Sequence, residues 1–257
     1  MEIIKGFEAI GKALWFRKER ILVIADLHIG YEFMLKERGI QIPFYFYKKI
    51  KQEVSEIIEK VTEKGRMGKK GEKIIILGDL KHEFGRINKE EWFEVLDFLD
   101  FLKEKCKGAE IILIKGNHDT ILGPLAKIKG LEIKDFYCVK DAYKDVCFLH
   151  GDKIINNKEI ENSKILILGH EHPCLKLREG SKIERFKCFL LGKYKHKKII
   201  VLPSFFTFEG FSILEKNLSP YLISKRDFEA FVMGENNKIY KFGKIRNIKN
   251  FAGLAEW

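Results

Sequence analysis

Imidazoles at His28, His150, His170 and His172, carboxylates at Asp26 and Asp79 and a carboxamide at Asn117 form a mixed nitrogen and oxygen donor set with no thiolate among its members. Such a set suits borderline divalent cations, Mn²⁺, Fe²⁺, Ni²⁺, Co²⁺ or Zn²⁺, rather than a structural cysteine-type zinc site or an all-oxygen calcium site. Seven donors exceed the needs of one tetrahedral ion. A carboxylate bridging two cations roughly 3.5–4 Å apart is the economical arrangement, because the bridge lessens their repulsion. Residues two apart on an extended segment point the same way, so Asp26 with His28, and His170 with His172, can each reach one site from a strand end. Asn117 and His118 are adjacent and face differently. One can bind metal while His118 serves proton transfer, with Asp119 available to orient or support it.

The donors follow short apolar runs: 21–25 before Asp26-Leu27-His28, 74–77 before Gly78-Asp79, 111–114 before Gly116-Asn117-His118-Asp119, 146–149 before His150-Gly151, and 165–168 before Gly169-His170-Glu171-His172. Runs this short and apolar predict buried strands, and the carboxyl ends of such strands are where open α/β sheets keep their sites. Between the first two runs, Phe46, Ile50, Val54, Ile57, Ile58 and Val61 recur at helical spacing and predict an amphipathic helix over about 43–64. Asn88, with Glu91 three residues on, predicts the capped start of a second helix that stops before Gly108. Residues 143–150, 164–170 and 186–203 lack helical spacing and predict a second, partly antiparallel sheet.

In this order and at these strand ends, the five blocks resemble those of the calcineurin-like metallophosphoesterases. The resemblance covers roughly residues 26–172 and implies an α/β fold, a four-layer αββα sandwich of two mixed β-sheets flanked by helices. It also implies a two-metal centre, with Asp26, His28, His172 and Asp79 on one ion and Asn117, His150, His170 and the shared Asp79 on the other. His118 becomes the acid for the leaving group. Gly78-Asp79-Leu80-Lys81-His82 is similar to the SbcD-type repair nucleases, which implies a role for His82 in the reaction. Overall the chain resembles small archaeal SbcD-related phosphoesterases and the bacterial phosphoesterases that accompany a DNA ligase and helicase.

The implied activity is hydrolysis of a phosphate ester, a phosphodiester of nucleic acid or nucleotides foremost, by a hydroxide activated between two divalent ions, manganese first and nickel, iron, cobalt or zinc as alternatives. A phosphomonoesterase acting on small molecules and a non-catalytic interaction module of the same fold, as in the retromer subunit, are the competing readings. The residues beyond His172 are too few for a separate DNA-capping domain. One domain over 1–257 is expected, with a motif-bearing core over about 20–205 and C-terminal strands over about 206–257 in the same body.

The 257 residues carry 48 Lys and Arg against 37 Asp and Glu, a formal charge of +11 that favours polyanionic partners. A charged fraction of 33% also matches proteins from hot environments, where lysine serves surface ion pairs. Residues 65–71 and 193–198 form two basic stretches expected to be exposed; in the second, Tyr194 could stack on a base and His196 is expected at the surface. Arg86 is a weaker candidate for a phosphate contact. The five cysteines, Cys106, Cys138, Cys147, Cys174 and Cys188, include no CxxC pair, so buried inert thiols and a reducing, cytoplasmic setting are expected. No signal peptide or membrane span is evident.

Overall fold

Runs that are apolar on both faces must be covered on both, and that requirement sets the layers of this molecule. A computed structural model describes residues 1–40, 45–63, 71–85, 87–140, 145–206, 211–212 and 218–248. Its first sheet holds β1 (Glu2–Ile4), β2 (Phe7–Ile10), β3 (Ala13–Phe16), β4 (Ile21–Ile24), β5 (Lys73–Leu77), β6 (Glu110–Ile114) and β7 (Ile133–Lys134), side by side in chain order. From β1 to β4 the pairing is antiparallel, and from β4 to β7 it is parallel. The hairpins β1 to β3 have no counterpart in the sequence reading, because their short strands carry no polar cluster at their ends.

The parallel strands are joined through helices. Between β4 and β5 run α1 (Tyr31–Glu37) and α2 (Phe46–Glu63); α3 (Lys89–Lys105) precedes β6 and α4 (Gly123–Ile128) follows it. Leu22, Ile24, Ile74, Ile76 and Leu113 face these helices and pack with Val54, Ile57, Phe98 and Leu99. Their neighbours Ile21, Val23, Ile75, Leu77 and Ile112 face the other way and meet Phe148, Ile167, Phe189 and Ile200 of the second sheet. This alternation, two residues per repeat, stacks the two sheets face to face.

The second sheet runs β14 (Phe211–Ser212), β11 (Pro173–Glu179), β12 (Lys182–Tyr194), β13 (Lys197–Val201), β10 (Ile165–Leu168), β9 (Val146–Leu149) and β8 (Phe136–Val139), with β15 (Glu229–Met233) on β12 and β16 (Ile239–Lys244) on β15. β9, β10 and β13 are parallel, and the β12 pairings with β11, β13 and β15 are antiparallel. The outer face is covered by the five-residue α5 (Lys158–Asn162) together with Tyr221, Leu222, Phe228 and Ile245. The outer helical layer here is thin, because large side chains from irregular segments supply the cover that a long helix supplies elsewhere. No helix among the described residues is long and apolar enough to cross a membrane.

Three expectations need correction. Cys138 and Cys147 form a disulfide between β8 and β9, where they are directly opposed partners of an antiparallel pair. Strand register, which no spacing rule anticipates, brought them together, so the cysteine pattern ceases to argue for a reducing compartment. Cys106, Cys174 and Cys188 are free and buried, as expected. The second basic stretch is not wholly exposed: Lys197 is buried and donates to the carbonyl of Ser163 at 2.7 Å. Tyr194 is packed against Tyr221 instead of standing free for a base. Residues 65–70 and Arg86 lie outside the described residues.

Candidate metal centre

The donor clusters follow the carboxyl ends of β4, β5, β6, β9 and β10, so the two sheets deliver them to one edge of the sandwich. Ile29 and Lys81 bridge the first two loops, and His28 donates its main-chain N–H to Asp79 at 2.9 Å. Asp26, His28, Asp79, His170 and His172 all take left-handed backbone conformations, with φ of 54°, 49°, 47°, 65° and 48°. That conformation costs a non-glycine residue on the order of 1–3 kcal/mol and clusters at functional sites. It corrects the expected reason for convergence: Asp26 and His28 do meet, but through a turn, not through alternation along an extended strand. Glycines before the donors give room for them. A Cβ on Gly78 would lie 2.1 Å from His150 Nδ1, and one on Gly116 would lie 2.1 Å from Asp79 Oδ1.

Two donor groups result. Asp26, His28 and His172 form one, with His28 Nε2 3.2 Å from His172 Nε2. Asp79, His150 and His170 form the other, with His150 Nε2 3.1 Å from His170 Nδ1 and 3.0 Å from Asn117 Oδ1. Asp79 Oδ2 lies 3.7 Å from His28 Nε2 and 3.4 Å from His150 Nε2, between the two groups. His170 and His172 therefore diverge to separate groups, although the sequence spacing alone allowed a common one.

The donor chemistry fits divalent cations. His150 Nδ1 meets the carbonyl of Leu77 at 3.2 Å, which assigns the proton to Nδ1 and turns the Nε2 lone pair toward Asn117, His170 and Asp79. Lone pairs packed this closely repel unless a proton or cation lies among them. Burial lowers His172 to about 3 and His170 to about 4, and drives His28 well below its usual value, so these imidazoles are neutral at pH 7, as metal ligation needs. Burial opposes charge on His150 as well, but Asp79 and Asp26 outweigh it and lift this imidazole to about 10. Asp79 is held well below the usual carboxylate range: burial pushes it up, and His150, His28 and His118 overcome that.

The three proposed catalytic residues are close by, in an arrangement the sequence did not predict. His82 and His118 form a third cluster with His28, His82 Nδ1 lying 3.2 Å from His28 Nδ1. His118 Nδ1 contacts the carbonyl of His82, and the N–H of His118 donates to Asp79 Oδ1 at 2.9 Å. Asp119 makes no direct hydrogen bond to His118 among the described residues. Its carboxylate accepts from the N–H of Gly116 at 2.9 Å and of Lys81 at 3.4 Å, and so holds the turn that carries Asn117. A carboxylate three residues after a backbone donor closes a turn readily, and here that local bond wins over a contact with the neighbouring ring.

Aromatic rings rim the cluster. Phe84, 52% exposed, lies against His118 with centroids 3.6 Å apart, and Tyr31 sits 4.6 Å from both His82 and Phe206. Phe206 is placed by its N–H on the carbonyl of Asp26 at 3.0 Å and by the half-buried Lys187, which donates to the Ser204 carbonyl at 2.9 Å and to the Phe206 carbonyl. Neither Phe84 nor Phe206 stood out in the sequence, because an aromatic residue in a loop carries no periodic signal.

Two comparisons bear on this geometry. The calcineurin-like phosphoesterase family model matches residues 19–199, and the chain belongs to that family. No curated protein matches the chain. Among solved structures it is similar to the Pseudomonas putida nuclease MPE, at 18% identity over 91% of this chain and 94% of that one, with a TM-score of 0.59. It is more distantly similar to YfcE, a phosphoesterase from E. coli, at 13% identity over 87% and 98% with a TM-score of 0.40. Zinc-bound Vps29 from Entamoeba histolytica stands at 16% identity over 87% and 91%, with a TM-score of 0.33.

Proposed function

We propose that this protein hydrolyses phosphodiester bonds of nucleotides or nucleic acid, using two divalent cations, manganese foremost. The observation that carries the reading is the position of Asp79 between the Asp26–His28–His172 and His150–His170 groups, within 3.7 Å of His28 and 3.4 Å of His150. In that reading Asp26, His28 and His172 hold one ion, Asn117, His150 and His170 hold the other, and Asp79 is shared. A bound pair would supply Lewis acidity at the phosphoryl oxygens and an acidified water.

The chain's own residues supply the rest. His118 keeps Nδ1 on the His82 carbonyl and turns Nε2 toward Asp79, 4.0 Å away, so an Nε2 proton is the one free to pass to the departing oxygen. His82 lines the same face, and its burial lowers it to about 4, which makes it a neutral hydrogen-bond partner and not a cation at pH 7. The ring of Phe84 beside His118 favours a leaving group with a flat face, such as a nucleoside. The nuclease among the similar folds and the net charge of +11 agree with a nucleic-acid substrate.

The test is a panel of labelled DNA, RNA, cyclic nucleotides, bis-p-nitrophenyl phosphate and phosphomonoesters, with Mn²⁺, Ni²⁺, Zn²⁺ and Mg²⁺ supplied separately. Diester cleavage that falls roughly 10²–10⁴-fold in His118→Ala, with metal content unchanged, is the expected result. Normal binding of two ions without turnover of any ester would exclude the enzyme reading.

A further inference from the structure

Glu91 sits in the first turn of α3, three residues after Asn88, where a capping box would turn its side chain back to the Asn88 N–H. Only half of that box forms. Asn88 Oδ1 accepts from the N–H of Glu91 at 2.7 Å, which already caps the helix. The Glu91 side chain leaves the helix instead and accepts, on Oε1, the N–H groups of His82 and Glu83, each at 2.9 Å.

The surroundings are built to admit it. Glu91 is fully buried, and Oε2 has no hydrogen-bond partner. A Cβ on Gly30 would stand 2.5 Å from Glu91 Cγ, so the carboxylate reaches the loop only because residue 30 has no side chain. Burying a carboxyl with one unpaired oxygen costs stability, and the helix cap does not require it. The loop it holds is the one whose His82 carbonyl meets His118 Nδ1. A carbonyl can only accept, so that contact keeps a proton on Nδ1 in both charge states of His118 and leaves Nε2 as the exchanging nitrogen.

We infer that Glu91 is a positioning residue of the candidate active site: from helix α3 it fixes the His82 loop, whose carbonyl sets the orientation and tautomer of His118. This rests on the reading of His118 as proton donor. Glu91 touches neither substrate nor metal and acts through the two histidines.

Three variants separate reach from charge. Glu91→Gln keeps an oxygen in the Oε1 position, Glu91→Asp keeps the charge but falls short by one methylene, and Glu91→Leu keeps neither. The full-length protein, with ¹⁵N-labelled histidine, is compared with and without Zn²⁺ by NMR, and turnover is measured with Mn²⁺ on diesters bearing p-nitrophenolate or nucleoside leaving groups. Wild type and Glu91→Gln should show the Nδ1–H tautomer at His118. Glu91→Asp and Glu91→Leu should show mixed tautomers and lose about 10–100-fold in kcat, more with the nucleoside leaving group, with KM and metal content unchanged. Retention of the Nδ1–H tautomer in Glu91→Asp and Glu91→Leu would overturn the inference, as would a loss in Glu91→Gln equal to that in Glu91→Leu. If wild type turns over no ester, the enzyme reading fails, while the tautomer comparison still decides the role of Glu91.

Discussion

Both carboxylate oxygens of Asp26 accept the main-chain N–H of His170, at 3.1 and 2.9 Å. Asp26 follows β4 of one sheet and His170 follows β10 of the other, 144 residues away in sequence. The bond therefore joins the loops of the two sheets directly. It also orders the turn from which His170 and His172 diverge, so the donor groups are arranged by the backbone before any ion enters.

This clasp predicts a local effect of Asp26→Ala. The His170 amide, left without its acceptor, should exchange with solvent at least about tenfold faster in metal-free protein, the equivalent of roughly 1.4 kcal/mol of lost protection. Hydrogen exchange read by NMR gives the answer, and an unchanged rate at His170 would show that the turn is held by other bonds.

If Asp79 is shared as proposed, removal of its carboxylate should differ from removal of a donor to one group only. Asp79→Ala is expected to lower metal content from two ions toward none, and His172→Ala from two toward one. Elemental analysis of the dialysed, Mn²⁺-loaded variants measures both. Equal losses in the two variants would contradict a bridging position for Asp79.

Metal loading should release protons. His150, lifted to about 10 because Asp79 and Asp26 outweigh its burial, carries a proton in the metal-free protein at pH 7.5, and a cation requires the Nε2 lone pair. The metal-free state binds the proton and the loaded state does not, so affinity rises with pH toward about 10 and falls on acidification, by up to about tenfold per pH unit per proton. His170 and His172 are already neutral there and add little. Calorimetry with Mn²⁺ in buffers of unlike ionisation heat should report at least about one proton released per protein; proton uptake would refute the assignment.

Phe84→Ala should weaken substrates that carry a base. Loss of one stacking ring costs about 1–3 kcal/mol, equivalent to roughly 5- to 150-fold in KM for a dinucleotide. Inhibition by inorganic phosphate, which has no ring, should stay the same. An equal change for both would mean that Phe84 acts on the phosphate pocket and not on the base.

Much of this architecture was readable along the chain. Apolar runs of four or five residues ending in Asp, His or Asn marked β4, β5, β6, β9 and β10, because a strand buried on both faces must be apolar throughout and can turn polar only at its end. The spacing of Ile50, Val54, Ile57 and Val61 marked α2, and Asn88 marked the start of α3. Donor chemistry was readable too, since the affinity of imidazole and carboxylate for divalent cations belongs to the side chains themselves.

What the sequence could not supply were relations between distant segments. The clasp of Asp26 on the His170 amide, the disulfide between Cys138 and Cys147 and the reach of Glu91 to the His82 loop all depend on left-handed turns and strand register. Those are fixed only when two sheets pack and buried donors must find acceptors. Sequence determined which groups were available and at which strand ends; tertiary structure decided which of them face each other, because short-range bonds and close packing act on distances that no residue spacing encodes.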